Sequence, residues 1–191
     1  MMPDDPLTQE ERVYLLRLAR QSLEQGTAGK PLPALDEASL TPRLSAPGAS
    51  FVTLTRHGML RGCIGALEPY QGLAEDVREH AAAAATQDYR FPAVRPEETP
   101  EIEIEISRLT TPRPLEYSGP EDLLAKLRPH IDGVVLRDGA RRSTFLPQVW
   151  EKVPDPVEFL EHLCMKMGAA TDLWRRKKIE VLIYQVEEFH E

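Results

Sequence analysis

At 191 residues the chain fits one domain, or two small ones that share a core, and it needs no disulfide or metal to stabilise that core. The net charge of −8 disfavours non-specific binding to nucleic-acid phosphates and to anionic membranes, so we expect neither partner. No apolar run approaches the roughly 18 residues of a membrane-spanning helix, and no apolar signal core opens the sequence. The two cysteines, Cys63 and Cys164, form no disulfide framework. These features predict a cytoplasmic protein with reduced thiols.

The first half of the chain shows local patterns of both helix and strand. In chain order they predict a disordered lead (1–7), a helix opened by the capping box Thr8-x-x-Glu11 (8–25), a long surface connection (26–50), a hairpin turning at His57-Gly58 (51–66), a second helix (72–87) and an alternating strand (101–106).

The second half repeats this order without repeating the residues. Its patterns predict a helix (118–128), a hairpin turning at Asp138-Gly139 (133–146), a helix (155–167) and a final strand that is apolar on both faces (179–186).

The repeated order of elements predicts the architecture. We expect an α+β fold in a single domain over residues 1–191, built from two halves at about 8–107 and 118–188. Each half is a helix-hairpin-helix-strand unit, and the final strand needs cover on both sides. We therefore predict that the strands of both halves join one curved, mostly antiparallel sheet with flanking helices.

One stretch, residues 60–67, places a cysteine between two glycines and beside an arginine. Glycine within a strand marks a bulge or a close approach to the backbone. If residues 59–66 form a strand, Arg61, Cys63 and Gly65 lie on one face. We expect an open notch there, in which the arginine favours the reactive thiolate of Cys63.

The run Arg61-Gly62-Cys63-Ile64-Gly65 resembles the hallmark of the AMME chromosomal region candidate gene 1 protein family, whose bacterial and archaeal members are called AmmeMemoRadiSam system protein A. The family motif usually continues with Thr, whereas this chain has Ala66. Three later stretches resemble the family in the same order: Asp88-x-Arg90-Phe91, Phe-Leu-Pro-Gln-Val at 145–149, and the helix at 159–168, where Met167 replaces a common alanine.

The resemblance implies a fold of the same kind and a set of neighbours. Members of the family tend to be encoded beside a Memo-like protein of the extradiol-dioxygenase fold and a radical S-adenosylmethionine protein. This association implies a shared pathway, with those two proteins as candidate partners. The chain has no Cys-x3-Cys-x2-Cys cluster motif, so it is not itself the radical enzyme.

Cys63 is the candidate nucleophile, because glycine neighbours leave room for a substrate and could expose backbone N–H groups to an oxyanion. The alternative is that Cys63 packs as a small hydrophobe, as we expect for Cys164. No histidine is fixed to Cys63 by spacing to act as its base. We expect no metal and no cofactor, since no G-x-G-x-x-G, P-loop or H-E-x-x-H motif appears.

Seven further residues are candidates for binding because of their type or their place in the family-like stretches. Arg90 could bind a carboxylate or phosphate, or close a helix end through a salt bridge to Asp88. Gln148 could meet a ligand amide or cap a helix, and Lys166 could belong to a solvated row of charges on its helix. The binding candidates are Arg61, Gly62, Gly65, Asp88, Arg90, Gln148 and Lys166.

Two functions from different classes follow from these residues. The first is an accessory or interaction subunit that binds a partner through the Arg61–Gly65 surface. The second is a small enzyme with Cys63 as nucleophile. A third function, a nucleic-acid-binding regulator, is disfavoured by the acidic charge.

Overall fold

The computed structural model describes residues 5–191. The chain divides into two compact units, one made of the described residues as far as Thr110 together with Glu187–Glu191, the other of Thr111–Val186. Each unit has its own sheet and its own apolar core. No helix within residues 5–191 is both long enough and apolar enough to cross a membrane.

The first unit packs two long helices on one face of an antiparallel sheet, in which the strands run in the order β2-β1-β4-β9 and the short β3 pairs with β1. Its elements are α1 (Gln9–Thr27), α2 (Pro42–Ser45), β1 (Pro47–Arg56), β2 (Met59–Gly65), β3 (Gln71–Gly72), α3 (Leu73–Thr86), a 3-10 helix (Pro96–Glu101), β4 (Ile102–Leu109) and β9 (Val186–His190).

Sequence pattern explains these elements. Thr8 and Glu11 form the predicted capping box at the start of α1. Strand β4 buries Ile102, Ile104 and Ile106 against the helices, while Glu103 between them is exposed, as its alternation predicts. The predicted surface connection ends earlier than expected, because β1 already begins at Pro47 and pairs there with β3.

The lead is also ordered where the structure describes it. Residues 1–4 of the predicted disordered lead lie outside the described residues, but Leu7 is buried and its N–H donates to Glu187 at 3.1 Å. Arg12 and Arg108 donate to the same carboxylate at 2.7 and 2.9 Å. One partly buried carboxylate, Glu187, therefore holds this segment, which local sequence could not indicate.

The second unit is built around a four-stranded antiparallel sheet in the order β5-β8-β6-β7. Trp150 stacks on Phe159 with ring centroids 3.6 Å apart, and both are fully buried. Its elements are β5 (Arg113–Pro114), α4 (Pro120–Lys126), β6 (Gly133–Asp138), β7 (Arg141–Phe145), a 3-10 helix (Pro147–Glu151), α5 (Pro156–Lys166), α6 (Leu173–Arg176) and β8 (Glu180–Tyr184).

The α+β class and the repeated order of elements are confirmed: α1, β1-β2, α3 and β4 are matched by α4, β6-β7, α5 and β8. The single continuous sheet is wrong, because the strands form two sheets. The apolar strand β8 is central, as predicted, but β5 and β6 of its own half occupy both of its edges. The next strand, β9, joins the first sheet instead. Its sequence, Val-Glu-Glu-Phe-His, does not alternate regularly between polar and apolar residues, so the pattern does not predict this strand.

Gly62 tests how closely β2 approaches α3. A Cβ added at Gly62 would lie 2.1 Å from the Ala84 carbonyl oxygen, which is helix backbone and moves only with the helix. We expect Gly62→Ala to lower the free energy of unfolding by about 1–3 kcal/mol, the usual cost of overpacking. Urea denaturation measures this change.

Gly119 provides the matched control, because a Cβ there meets nothing within 4 Å. Gly119→Ala is expected to change stability by less than about 0.5 kcal/mol. Equal effects of the two substitutions would contradict a close strand–helix approach at Gly62.

Candidate functional site

The family-like stretch lies on β2, which is an edge strand of the first sheet. Cys63 faces Thr53 across the pair of strands, and the register shifts between Leu54 and Thr55, so that Arg61 is the extra residue of a bulge. The N–H and C=O of Cys63 point away from β1, since both meet side chains beyond the edge of the sheet.

Those side chains are Asp88 and Arg90, which we call the edge clamp. The Cys63 N–H donates to Asp88 Oδ2 at 2.8 Å, and Arg90 Nη2 donates to the Cys63 carbonyl at 3.2 Å. Arg90 also donates two hydrogen bonds to the Asp88 carboxylate, from Nε to Oδ1 at 2.9 Å and from Nη2 to Oδ2 at 2.7 Å. The clamp thus fills both hydrogen bonds that a neighbouring strand would make at Cys63.

The electrostatics of the clamp keep it ionised. The Arg90 guanidinium, together with the N–H groups of Cys63 and Arg90, holds the pKa of Asp88 far below its usual range, against the opposing effect of burial. Asp88 raises the pKa of Arg90 in return. The carboxylate is buried while the guanidinium is half exposed above the Phe91 ring, 5.5 Å from its centroid.

Arg61 was expected beside the Cys63 thiolate, but it binds Glu98 and two backbone carbonyls. Its guanidinium donates to the Pro92 carbonyl at 2.7 Å, to the Ala93 carbonyl at 3.3 Å and to Glu98 Oε2 at 3.2 Å. The Arg95 N–H and Arg61 lower the pKa of buried Glu98 to about 2. Arg61 therefore ties the bulge to the segment before β4, and Glu98 is a partner that the sequence did not reveal.

The sulfur of Cys63 meets a hydroxyl rather than an ionisable base. Thr53 Oγ1 lies 3.4 Å from Sγ, and Thr53 is in turn opposite Glu105 on β4. Burial raises the pKa of Glu105, and the negative charge of Glu188 adds to this effect. A threonine hydroxyl does not accept a proton from a thiol near neutral pH, so this contact does not activate the sulfur.

Both glycines of the stretch serve close packing. Gly62 lies against the Ala84 carbonyl, and a Cβ at Gly65 would lie 2.4 Å from the Phe51 ring and 2.4 Å from the Ser50 carbonyl. An aromatic ring that covers a cross-strand glycine is a known way to stabilise such a position. The expected notch beside Cys63 is thus filled at Gly65 by Phe51.

Gln148 and Lys166 belong to the second unit. Gln148 lies in the 3-10 helix Pro147–Glu151, and Lys166 is the last residue of α5. Lys166 Nζ donates to the Thr144 carbonyl at 2.9 Å and lies 4.9 Å from the centroid of the Phe145 ring. Cys164 is fully buried in the core, which raises the pKa of its thiol and confirms its predicted packing role.

The structure thus brings Arg61, Gly62, Cys63, Asp88 and Arg90 together at one sheet edge, with Gly65 at the end of the same strand. Among residues 5–191 no group of three or more His, Cys, Asp or Glu side chains is placed to hold a metal ion.

An α+β protein with a side-chain clamp on the edge strand of a hairpin is the class that this geometry defines. A model of the AMMECR1 family matches residues 16–189, and the chain belongs to this family. Protein MK0488 from Methanopyrus kandleri is 40% identical over 192 residues, which cover 98% of this chain and 91% of that protein.

Two further proteins share the fold or sequence over nearly the whole chain. A protein from Methanothermobacter thermautotrophicus is 38% identical over 187 residues, 97% of each chain. The crystal structure of the uncharacterized protein PH0010 from Pyrococcus horikoshii matches with a TM-score of 0.82 at 33% identity, covering 97% of this chain and 93% of that one. The family resemblance predicted from the four stretches is confirmed.

Asp88→Asn tests the contribution of the clamp to stability. Because the pKa of Asp88 is lower in the folded state, its stabilisation is present above the unfolded value of about 3.9 and is lost as the pH falls below it. We expect a loss of about 1–3 kcal/mol at neutral pH, shrinking towards zero in acid. Urea denaturation over a pH series measures this difference.

Glu103→Gln is the control, since it removes an exposed carboxylate from the same sheet. Its effect is expected to stay within about 0.5 kcal/mol at every pH. A loss in Asp88→Asn that did not change with pH would contradict the ionised clamp.

Cys63 and Cys164 differ in accessibility, and alkylation measures the difference. Cys63 is partly exposed, whereas Cys164 is fully buried and has a raised pKa. We expect iodoacetamide to label Cys63 faster, with Cys63→Ser isolating the signal of Cys164. Arg61→Ala is expected to change the labelling rate of Cys63 by no more than about twofold, because the arginine charge is paired with Glu98. A large drop in that variant would restore Arg61 as the group that activates the thiol.

Proposed function

We propose that this AMMECR1-family protein is an accessory subunit that binds a partner protein through the surface at the edge clamp. The main observation behind this proposal is that the backbone groups of Cys63 and the two nearby arginines already make hydrogen bonds within the fold. The Cys63 N–H, which a cysteine nucleophile would offer to an oxyanion, donates to Asp88. The two arginines hold Asp88, Glu98 and backbone carbonyls.

Large apolar side chains remain exposed along the same edge. Tyr89, between the two clamp residues, is 95% exposed, and Met59 and Leu60 on β2 are 71% and 44% exposed. Exposed aromatic residues beside an arginine are typical of the residues that contribute most to protein–protein binding. This combination supports a docking surface more than a catalytic cleft.

The alternative function, a small enzyme with Cys63 as nucleophile, has one observation in its favour. Cys63 is a partly exposed residue, as access of a reagent or substrate would require. The side chain that contacts the sulfur is Thr53, and its hydroxyl is not a base that could activate the thiol. The accessory role is therefore the better supported of the two.

The candidate partners are those implied by the family association, a Memo-like protein and a radical S-adenosylmethionine protein, and we place their assembly in the cytoplasm. Nucleic acid is a poorer candidate because the basic run at 175–178 is engaged within the fold. Arg176 pairs with Asp172, and Lys177 Nζ lies 2.6 Å from Asp138. Arg175 and Lys178 lie over aromatic rings.

Binding measurements with the two purified candidate partners test the proposal. We expect Tyr89→Ala to weaken binding by about thirtyfold, corresponding to about 2 kcal/mol for a residue central to an interface. Isothermal titration calorimetry gives the Kd of the wild type and the variant.

Ile131→Ala is the matched control, because Ile131 is also exposed, at 50%, but lies in the second unit. Its Kd is expected to equal that of the wild type. If neither partner binds at micromolar concentration, or if Tyr89→Ala binds as well as the control, the proposed role of this surface is wrong.

A further inference from the structure

A second polar cluster of the first unit lies beneath the sheet, away from the edge clamp. Asp76 on α3 is completely buried, and its Oδ2 accepts the Ser50 N–H at 2.8 Å and the Ser50 hydroxyl at 2.6 Å. His80, one helical turn later, places Nδ1 3.1 Å from the same oxygen. The other oxygen, Oδ1, is buried and has no hydrogen-bond partner among the described residues. A buried carboxylate oxygen left in this state needs a functional or structural reason.

The hydrogen-bond partners of His80 favour one tautomer. Asp76 Oδ2 already accepts from Ser50, so a neutral ring that bonds to this oxygen carries its proton on Nδ1, facing Asp76. Nε2 then carries a lone pair, and the Tyr70 hydroxyl lies 3.4 Å from it. Gln71 Nε2 donates to the Tyr70 oxygen at 3.3 Å and to Glu79 at 2.9 Å. Because the Tyr70 oxygen already accepts from Gln71, its own proton is free to point at His80.

Tyr70 covers this lone pair only loosely. It is 62% exposed, while His80 beneath it is 7% exposed. The two rings meet edge to face with centroids 6.4 Å apart, and the hydroxyl contact is at the long limit of a hydrogen bond. Burial, together with the charges of Asp76 and Glu79, raises the pKa of Tyr70, so the phenol keeps its proton. A surface hydroxyl therefore occupies the position that a ligand hydroxyl could take.

We propose that Asp76 and His80 form a proton-accepting dyad for a small hydroxyl-bearing ligand, which replaces the Tyr70 phenol at His80 Nε2. In the step that this arrangement supports, the ligand O–H bond breaks and its proton forms a bond to Nε2. The imidazolium so formed is held by the Asp76 carboxylate, and the ligand oxygen becomes a stronger nucleophile. Asp76 acts as a positioning residue, since it touches His80 and not the ligand.

One feature of the sequence points to this site. Asp76 and His80 are spaced i, i+4 on a predicted helix, which places them on one face. Ser50 and Tyr70 come from other elements, and no local pattern predicts that they converge there. The site is separate from the edge clamp, and the proposal goes beyond the accessory role.

Carbethoxylation by diethyl pyrocarbonate tests whether His80 Nε2 is an available lone pair beneath Tyr70. Mass spectrometry reports the modification of each histidine, and His57, with its side chain 70% exposed, serves as internal reference. We expect slow reaction of His80 in the wild type. Tyr70→Ala is expected to speed the modification of His80 by roughly three- to tenfold, because the Tyr70 ring is held over His80 by one hydrogen bond.

Added phenol tests the class of ligand. In Tyr70→Ala, phenol is expected to slow the modification of His80 and not of His57, because it restores the missing hydroxyl. Methoxybenzene has the same ring without a hydroxyl donor and is expected not to protect. Equal protection by the two compounds, or His80 that reacts no faster in Tyr70→Ala, would overturn the proposal.

Nitrogen-15 NMR of the wild type gives a second readout that does not depend on reactivity. We expect the shifts of His80 to show a protonated Nδ1 and an unprotonated Nε2, whereas the opposite tautomer would refute the dyad. Asp76→Asn is expected to lower the modification rate of His80. The thermal unfolding midpoints of the variants show whether they are folded, and if Asp76→Asn does not fold, the Tyr70→Ala and phenol measurements still decide the question. Ile131→Ala, in the second unit, is expected to leave all of these readouts unchanged. None of the readouts depends on partner binding, so failure here and failure of the docking surface are distinguishable.

Discussion

The first unit depends on how it closes the edge strand of its hairpin. An edge strand presents unpaired N–H and C=O groups that would pair with any other strand, and the Asp88–Arg90 clamp fills both groups of Cys63. The clamp can reach them because Gly62 lets β2 lie directly against the carbonyl end of α3. The clamp residues follow that helix within a few positions. The end of α3, Gly62 and the clamp therefore depend on one another. A change in any of them alters the distance between β2 and the helix end, and with it the hydrogen bonds of the clamp to Cys63.

The second unit meets the same constraint with different side chains. Its hairpin also ends in an edge strand, β7, and the carbonyl of Thr144 on that strand accepts from Lys166 at the end of the following helix. Where the first unit has Gly62 against the Ala84 carbonyl, the second has the Ser143 hydroxyl donating to the Leu163 carbonyl at 2.7 Å. The duplicated order of elements thus extends to a duplicated way of closing an edge. The residues that perform it differ, which is why the two halves show no repeated motif.

Local sequence patterns predict most of the helices and strands, but few of the contacts between them. The Thr8–Glu11 box, the His57-Gly58 turn with both residues at positive φ, and the alternating isoleucines of β4 could all be read because each depends on neighbours in sequence. The division into two sheets could not be read, since it depends on which strands occupy the edges of β8. For the same reason the sequence singled out Arg61 but gave no indication of Glu98, whose pairing with it joins separate elements.

The two polar clusters of the first unit differ in what they leave available. At the edge clamp the charged groups that reach Cys63 are matched within the fold, so the exposed apolar side chains are the basis of the docking surface that we propose. Beneath the sheet, a fully buried carboxylate keeps one oxygen without a partner among the described residues, and it orients an imidazole towards a loosely held surface phenol. Buried polar groups are costly unless they are satisfied, and at Asp76 the contacts of Oδ2 with Ser50 and His80 offset part of that cost while Oδ1 offsets none of it. An apolar side chain at position 76 would leave the buried N–H and hydroxyl of Ser50 without this acceptor, so Asp76 serves the strand as well as the orientation of His80.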